Sequence, residues 1–489
     1  MAQKVAVIGA GFGGLAAAIE LAVAGVEVHL YERHSAPGGK AAEVRTGGFR
    51  FDTGPSLLTM PFVVDDLYTS AGRKRDVLFE PVDPICRYFF DDGTRFDAWS
   101  DEMRLLEEVR NLAPGEEVAV RRFLDYSERI YRLTSDLFLF NRLDDLKNLL
   151  HTRNLLTLLQ LPRIDAFRSV HNAVSSFFED HRLVQIFDRY ATYNGSDPFK
   201  APATLNIIPH VEYRLGGYYV RGGMHALVTS LARLAQDMGV TLHYESDVQQ
   251  ILHDGQRVRG LRIHGEDLPF SRIVSNADAV YTLTHLLEAS TLWSRKRTFE
   301  PSCSGFVFLW GVDTTHAQLA HHNIFFSGNY RKEFRQIFDE CRVPSDPTVY
   351  VSITSKADPD HAPPGQENWF VLINMPALTE RNAVPDIDRI RESVLRQLTA
   401  SGVEIRDRIM VEHIITPADL ETKYSAFRGS IYGISSNSRN AAFLRPGNRV
   451  RQPRGLYLCG GAAHPGGGVP LVLLSGKHAA KCVIEDLRM

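Results

Sequence analysis

Residues 4–14 read Lys4-Val5-Ala6-Val7-Ile8-Gly9-Ala10-Gly11-Phe12-Gly13-Gly14, and this stretch decides the fold. Val5 to Ile8 is a short apolar run rich in β-branched residues and predicts a strand. Beyond the glycines, Leu15-Ala16-Ala17-Ala18-Ile19-Glu20-Leu21-Ala22 predicts a helix. Gly9 allows a tight turn between them, Gly11 lets a pyrophosphate approach the backbone, and Gly14 permits close packing of helix on strand. Phe12 and Gly13 lie within the same turn, where the helix N–H groups face a phosphate. Gly25 stops the helix, Val26 to Tyr31 predicts a second strand, and Glu32 follows 18 positions after Gly14. An acid at that point accepts the ribose hydroxyls of an unphosphorylated adenosine. An ordinary βα turn is the alternative, but strand, turn, helix, strand and acid in register point to an ADP-binding βαβ unit.

The rest of the composition narrows the class. With 489 residues there is room for about three domains. Lys plus Arg number 55 against 58 Asp plus Glu, a net charge of −3, which speaks against a nucleic-acid partner. The apolar fraction of 44% and charged fraction of 23% are those of a folded protein. No run reaches the roughly 18 apolar residues needed to span a bilayer. The five cysteines, Cys86, Cys303, Cys341, Cys459 and Cys482, are scattered without a C-x-x-C pair, so no disulfide framework or metal site is expected and the compartment reads as cytoplasmic. Lys4 and the apolar stretch to Gly25 imitate a signal peptide, but the glycines inside it argue otherwise.

No period of 20 to 50 residues recurs, so a solenoid is not expected. Residues 102–193 read mainly helical, with leucines at three and four spacing. Gly222 and Gly223 open a helix that ends near Gly239, and strands follow at Val240–Tyr244, Val248–His253 and Val258–Ile263, the last two joined by an Asp254-Gly255 turn. Ile273-Val274-Ser275-Asn276-Ala277-Asp278 closes this block. Further strands are predicted at Gly305–Trp310, Thr348–Thr354 and Trp369–Asn374, forming a substrate-side sheet. Near the other end, Gly455-Leu456-Tyr457-Leu458-Cys459-Gly460-Gly461 is a strand running into glycines, and His464-Pro465-Gly466-Gly467-Gly468-Val469-Pro470 opens a final helix.

Glu32 is followed by Arg33, by Pro37-Gly38-Gly39-Lys40, and by Phe51-Asp52-Thr53-Gly54-Pro55-Ser56. Together with the terminal glycine element, these motifs resemble the bacterial carotenoid (phytoene) desaturase family of the flavin amine oxidase superfamily. The likeness spans Val5 to Asp486. Tyr193 to Pro202, Ile208-Pro209-His210 and Glu367-Asn368-Trp369-Phe370 resemble in particular its 1-hydroxycarotenoid 3,4-desaturase branch. The resemblance implies an α/β fold whose Rossmann-type FAD-binding domain is assembled from residues 1–75, 206–285 and 426–489. A mixed-sheet substrate domain would take residues 76–101 and 286–425, and a helical lobe residues 102–205. It also implies that Arg33, Gly38, Gly39, Lys40, Gly54, Pro55 and Ser56 wrap the FAD, that Val248 presents its backbone to the adenine, and that Gly460, Gly461, Gly468 and Val469 meet the flavin. The positive end of the final helix would then stabilise charge on the reduced pyrimidine edge.

The implied reaction is desaturation of a polyene, in which hydride passes to the flavin and a neighbouring carbon loses a proton. No H-E-x-x-H or G-x-S-x-G is present, and no second dinucleotide motif, so oxygen or a membrane quinone is the expected electron acceptor. His210, Glu212 and His464 are the candidate bases, each with a structural role as the alternative. The leucines between Leu149 and Leu161, with His151, Arg153 and Arg163 nearby, suit a helix lying in lipid headgroups, giving a peripheral membrane attachment through which the carotenoid enters; core packing is the alternative. Rival readings are a carotenoid isomerase or oxygenase on the same scaffold, or a non-enzymatic lipid-binding escort. Intact Gly9, Gly11, Gly14 and Glu32 argue against the escort.

Overall fold

The computed structural model describes residues 4–142, 164–287, 299–380, 382, 385–437 and 445–488. The predicted strands form one parallel sheet in the order Leu456–Leu458, Ile273–Ser275, Lys4–Ile8, Glu27–Tyr31, Thr241–His243. Its middle strand is buried from Val5 to Ile8, as expected of a strand covered on both faces. The helix Phe12–Val23 covers one face, and Met224–Asp237 and Val469–Arg488 pack beside it in a shared core. Small residues set the distance between the first and last helices. A β-carbon on Gly476 would stand 2.2 Å from the Gly13 carbonyl oxygen and 2.9 Å from the Ala16 methyl, so the two helices meet closer than any larger side chain allows. Gly14 acts as the motif requires, since a β-carbon there would lie 2.0 Å from the Gly9 carbonyl oxygen.

The predicted hairpin is present between Val248–His253 and Val258–Ile263. Asp254 accepts the N–H groups of Gln256 and Arg257, each at 2.8 Å, and these donors hold its carboxyl down at about 2.

A second, mixed sheet runs in the order Ile409–Ile415, Ser304–Val312, Glu367–Met375, Val349–Ser352, His322–Phe325, Cys86–Phe89, Arg95–Ala98. Alternation divides its residues between two faces. Phe306, Phe308, Trp310, Trp369, Val371 and Ile373 point one way and bury themselves against Ile390, Val394 and Leu398 of the helix Ile387–Ala400. Gly305, Val307, Phe370, Leu372, Tyr350 and His322 point the other way and line a cavity.

Helices Glu102–Leu112, Glu117–Thr134, Val170–Val174 and His181–Asp188 gather around an aromatic core, and Thr134 at the end of the second of them lines the cavity. Phe123 and Phe187 stand there with ring centroids 4.5 Å apart. The helix Glu117–Thr134 runs on into a wider π turn, Ser135–Leu139, from which Phe138 and Leu139 reach the cavity. The leucine-rich stretch from Leu149 to Leu161, expected to meet the membrane, lies outside the described residues. Among the described residues no helix is long and apolar enough to cross a membrane.

Candidate active site

One cavity of about 650 Å³ runs from the glycine turn to the far strands of the mixed sheet. At its glycine-turn end the chain holds Glu32 ready to accept hydrogen bonds. Glu32 is buried, and its two carboxylate oxygens take the Ala10 N–H at 2.7 Å and the His34 N–H at 3.0 Å. The helix beginning at Phe12 has Gly11 as its N-cap, without a side-chain cap and without an acid in its first turn. Its positive end therefore faces the cavity unneutralised by side chains, as an anion site requires. Val248 lines the same region, and Arg33 is fixed there by Asp247 at 3.3 Å and the Ser425 hydroxyl at 2.8 Å.

Asp52, at the head of the second motif, serves a different purpose. It accepts the N–H groups of Met224 at 3.0 Å and His225 at 3.1 Å, capping that helix, and pairs with buried Arg50 at 2.7 Å. The cap pins the loop that carries Gly54, Pro55 and Ser56 into the cavity wall.

Midway, Lys40, Asp278 and Arg445 converge. The Lys40 ammonium donates to the carbonyls of Ile431 at 2.7 Å and Ser430 at 3.2 Å, and burial lowers it to about 8 against the restoring charge of Asp278. Arg445 donates to the carbonyls of Gly461 at 2.7 Å and Tyr432 at 2.9 Å, and burial lowers it to about 10. Burial pushes the Asp278 carboxyl up, partly opposed by Lys40. Two cations thus flank one carboxylate beside the turn that leads to Gly468 and Val469, an arrangement suited to negative charge on a bound group. His464 lines this region, its Nε2 at 3.0 Å from the Asn141 carbonyl. A carbonyl only accepts, so Nε2 carries the proton in that contact.

The remaining arm is apolar, walled by Phe138, Leu139, Ile208, Val211, Phe370 and Leu372. Its end is polar. Glu212 accepts the Tyr190 hydroxyl at 2.7 Å, the Tyr193 hydroxyl, and the Arg189 guanidinium at 3.2 Å, while Arg189 also donates to the Tyr88 hydroxyl at 2.7 Å. Beside them the Ser56 hydroxyl bonds to the Tyr350 hydroxyl, which in turn lies 2.8 Å from His322 Nδ1. Burial holds His322 well below the usual imidazole range, so it is neutral.

Most residues expected from the sequence line this cavity together: Gly9, Gly11, Phe12, Glu32, Arg33, Gly38, Gly39, Lys40, Gly54, Pro55, Ser56, Val248, Gly461, Gly468, Val469, Glu212 and His464. Gly13, Gly14 and Gly460 do not line it. His210 is a correction. Ile207–Tyr213 is a helix turning about 100° per residue, so Ile208, Val211 and Glu212 share the cavity face and His210 points the other way. Its ring packs on Tyr131 with centroids 4.7 Å apart, and its backbone N–H donates to Ser127 at 2.8 Å. Arg189, His322, Tyr350, Asp278 and Arg445 were not expected. Arg189 follows Asp188, and His322 lies between His321 and Asn323, so no spacing in the sequence singles these residues out before the fold brings them together.

Fold and cavity define a Rossmann-type α/β scaffold in which a glycine turn at a helix N-terminus and a buried carboxylate open into an apolar chamber. Comparison with known proteins makes this specific. The family model described as "Flavin containing amine oxidoreductase" matches residues 12–484, and the chain belongs to that family of flavin-dependent oxidoreductases. The chain is 38% identical to a "4,4'-diapolycopene oxygenase" of Methylomonas sp, covering 99% of each chain. It is 35% identical to a "1-hydroxycarotenoid 3,4-desaturase" of Flavobacterium sp. (strain P99-3), covering 98% of this chain and 99% of that one. Among solved structures, an oxidoreductase from Methanosarcina mazei superposes with a TM-score of 0.65 at 18% identity over 99% of this chain and 100% of its own, a likeness of fold.

Proposed function

We propose that this protein is an FAD-dependent carotenoid desaturase that removes a hydride and a proton from adjacent carbons of a polyene. The observation that carries the reading is the single cavity joining Glu32 and the uncapped helix at Phe12 to a long apolar arm. In this reading Gly11 and Phe12 meet the pyrophosphate, Glu32 the ribose, Val248 the adenine, and the helix starting at Val469 the pyrimidine edge. FAD, when bound, supplies the hydride acceptor. The chain holds the polyene in a water-poor arm beside that acceptor and keeps Lys40 and Arg445 where negative charge develops. Glu212 is engaged by three donors and positions Arg189, so His464 is the proposed proton acceptor, through Nδ1, since its Nε2 carries the proton given to the Asn141 carbonyl. A quinone or oxygen takes the electrons, and the protein works in the cytoplasm at the membrane surface, from which the carotenoid enters.

Oxygenation at the same site is the second reading, favoured by the relative named an oxygenase at 38% identity. The test is to record the visible spectrum of the purified protein and incubate it with phytoene, neurosporene and a 1-hydroxycarotenoid. Products two hydrogens lighter support desaturation, products carrying added oxygen support the second reading, and a flavin-free protein with unchanged substrates overturns both.

A further inference from the structure

His464 sits on a backbone fixed from both sides. Its N–H donates to the Pro446 carbonyl at 2.9 Å, and its carbonyl accepts the Ser475 hydroxyl at 2.6 Å and the Asn448 amide at 2.9 Å. Asn448 also donates to the Leu458 carbonyl at 3.1 Å, so the anchor reaches the edge strand of the parallel sheet. The imidazole itself is held by a distant part of the chain, since Nε2 donates to Asn141, just beyond the π turn Ser135–Leu139.

A second imidazole grips the same segment. His478, on the final helix, has its Nε2 3.0 Å from the carbonyl of Leu139, two residues before Asn141. Arg142, one residue past Asn141, pairs with Glu485 of that helix at 2.9 Å, so His478 holds the side of the segment that enters the cavity wall. The two imidazoles lie nearly parallel, with 20° between their planes and 5.8 Å between centroids. His478 is 1% exposed, and burial lowers it to about 3, so it is neutral and carries its proton on Nε2. Its Nδ1 is buried without a hydrogen-bond partner in the protein. An apolar side chain would leave no such atom unmet. What the imidazole adds is the donor that holds Leu139.

We infer that His478 is a positioning residue for His464: by holding the Leu139 carbonyl it keeps the Asn141 carbonyl where His464 Nε2 meets it, which fixes the proton of His464 on Nε2 and leaves Nδ1 as the basic atom. An imidazole without such a partner divides between two tautomers, and only one of them has a lone pair on Nδ1. In the step served, the polyene gives a hydride to the flavin and a proton from the adjacent carbon to Nδ1, and the electron pair of that second C–H bond becomes the new double bond. The imidazolium later passes its proton to water. A neutral ring stacked on His464 suits this step, because a cation there would oppose proton uptake.

This inference rests on His464 as the proton acceptor, and the experiment separates the two. Holoprotein containing isotope-labelled histidine is prepared as the parent, His464→Ala, His478→Met and His478→Gln. Met and Gln are both unbranched and similar in size, and only Gln keeps a donor. Bound flavin is quantified in each to confirm folding. Long-range proton–nitrogen correlation spectra, with His464 assigned by its absence from His464→Ala, report which ring nitrogen carries the proton. The expected result is Nε2–H in the parent and in His478→Gln, and a mixture of tautomers in His478→Met. On whichever of phytoene, neurosporene and 1-hydroxyneurosporene the parent converts, kcat falls at least about tenfold in His478→Met with KM within about threefold, and His478→Gln recovers most of the loss. A His478→Met protein that keeps the parent's spectrum or its kcat, a change confined to KM, or equal losses in both variants overturns the positioning role alone. Loss of flavin in both variants marks His478 as structural and overturns that role as well. Parent kcat in His464→Ala, a parent His464 whose neutral ring carries its proton on Nδ1, or no conversion of any polyene overturns the acceptor reading and the positioning role together.

Discussion

Glu32 and Lys40 carry charge into one cavity by opposite means. Glu32 is held by two backbone N–H groups, and in the proposed FAD site its remaining lone pairs would accept the ribose hydroxyls. Glu32→Ala removes a charge-assisted contact of about 1.5–3 kcal/mol, so flavin retention falls roughly 10- to 100-fold, read from the flavin absorbance per mole of purified protein. Lys40 is lowered to about 8 from 10.5. Between those values the native chain has released a proton that the unfolded chain still holds, so stability rises with pH across the interval. Relative to Lys40→Met, the parent apoprotein gains up to about 3 kcal/mol between pH 8 and 10.5, an upper value because water in the cavity screens the charge. Urea unfolding of both proteins across that range measures it, and a flat difference refutes it.

The first and last helices are joined by the near contact of Gly476 with Gly13 and Ala16. Gly476→Val forces them apart and destabilises by about 2–3 kcal/mol, seen as a lower urea midpoint, with loss of flavin because Gly13 and Val469 belong to the same contact layer. Elements of this kind were legible from sequence: short apolar runs, alanine stretches and glycine punctuation mark the strands of the parallel sheet and the helices between. The mixed sheet was harder to interpret. Ser304–Val312 is buried at every position, so its alternation does not disclose which face meets a cavity. His210 and Glu212 looked equivalent in the sequence, and only the helical phase of Ile207–Tyr213 separates them. Arg189, His322 and Tyr350 stay opaque in any one-dimensional reading, because their partners lie 23, 28 and 294 positions away.

At the scale of the molecule, the cavity is a conduit with a charged nucleotide end, an apolar arm and a polar far end, so a plug in the arm should separate its functions. Leu372→Trp fills the arm from the mixed sheet, and kcat/KM on polyenes falls at least about tenfold while flavin remains bound at the other end. Loss of flavin in that variant would show that the two ends are not independent.

The threading of the parallel sheet also has a bearing on synthesis. Lys4–Ile8 is its middle strand, yet Leu456–Leu458 closes one edge and the helix that seats against Ala16 begins at Val469. At a ribosomal pace of about 5–20 residues per second, the first βα unit waits roughly half a minute to a minute and a half for those segments. Throughout that interval the Gly13 and Ala16 side of its helix lacks the partner that Gly476 brings, although the helix Met224–Asp237 emerges earlier. The cavity that would take the flavin is therefore complete only after the final helix emerges, because Gly468 and Val469 line it.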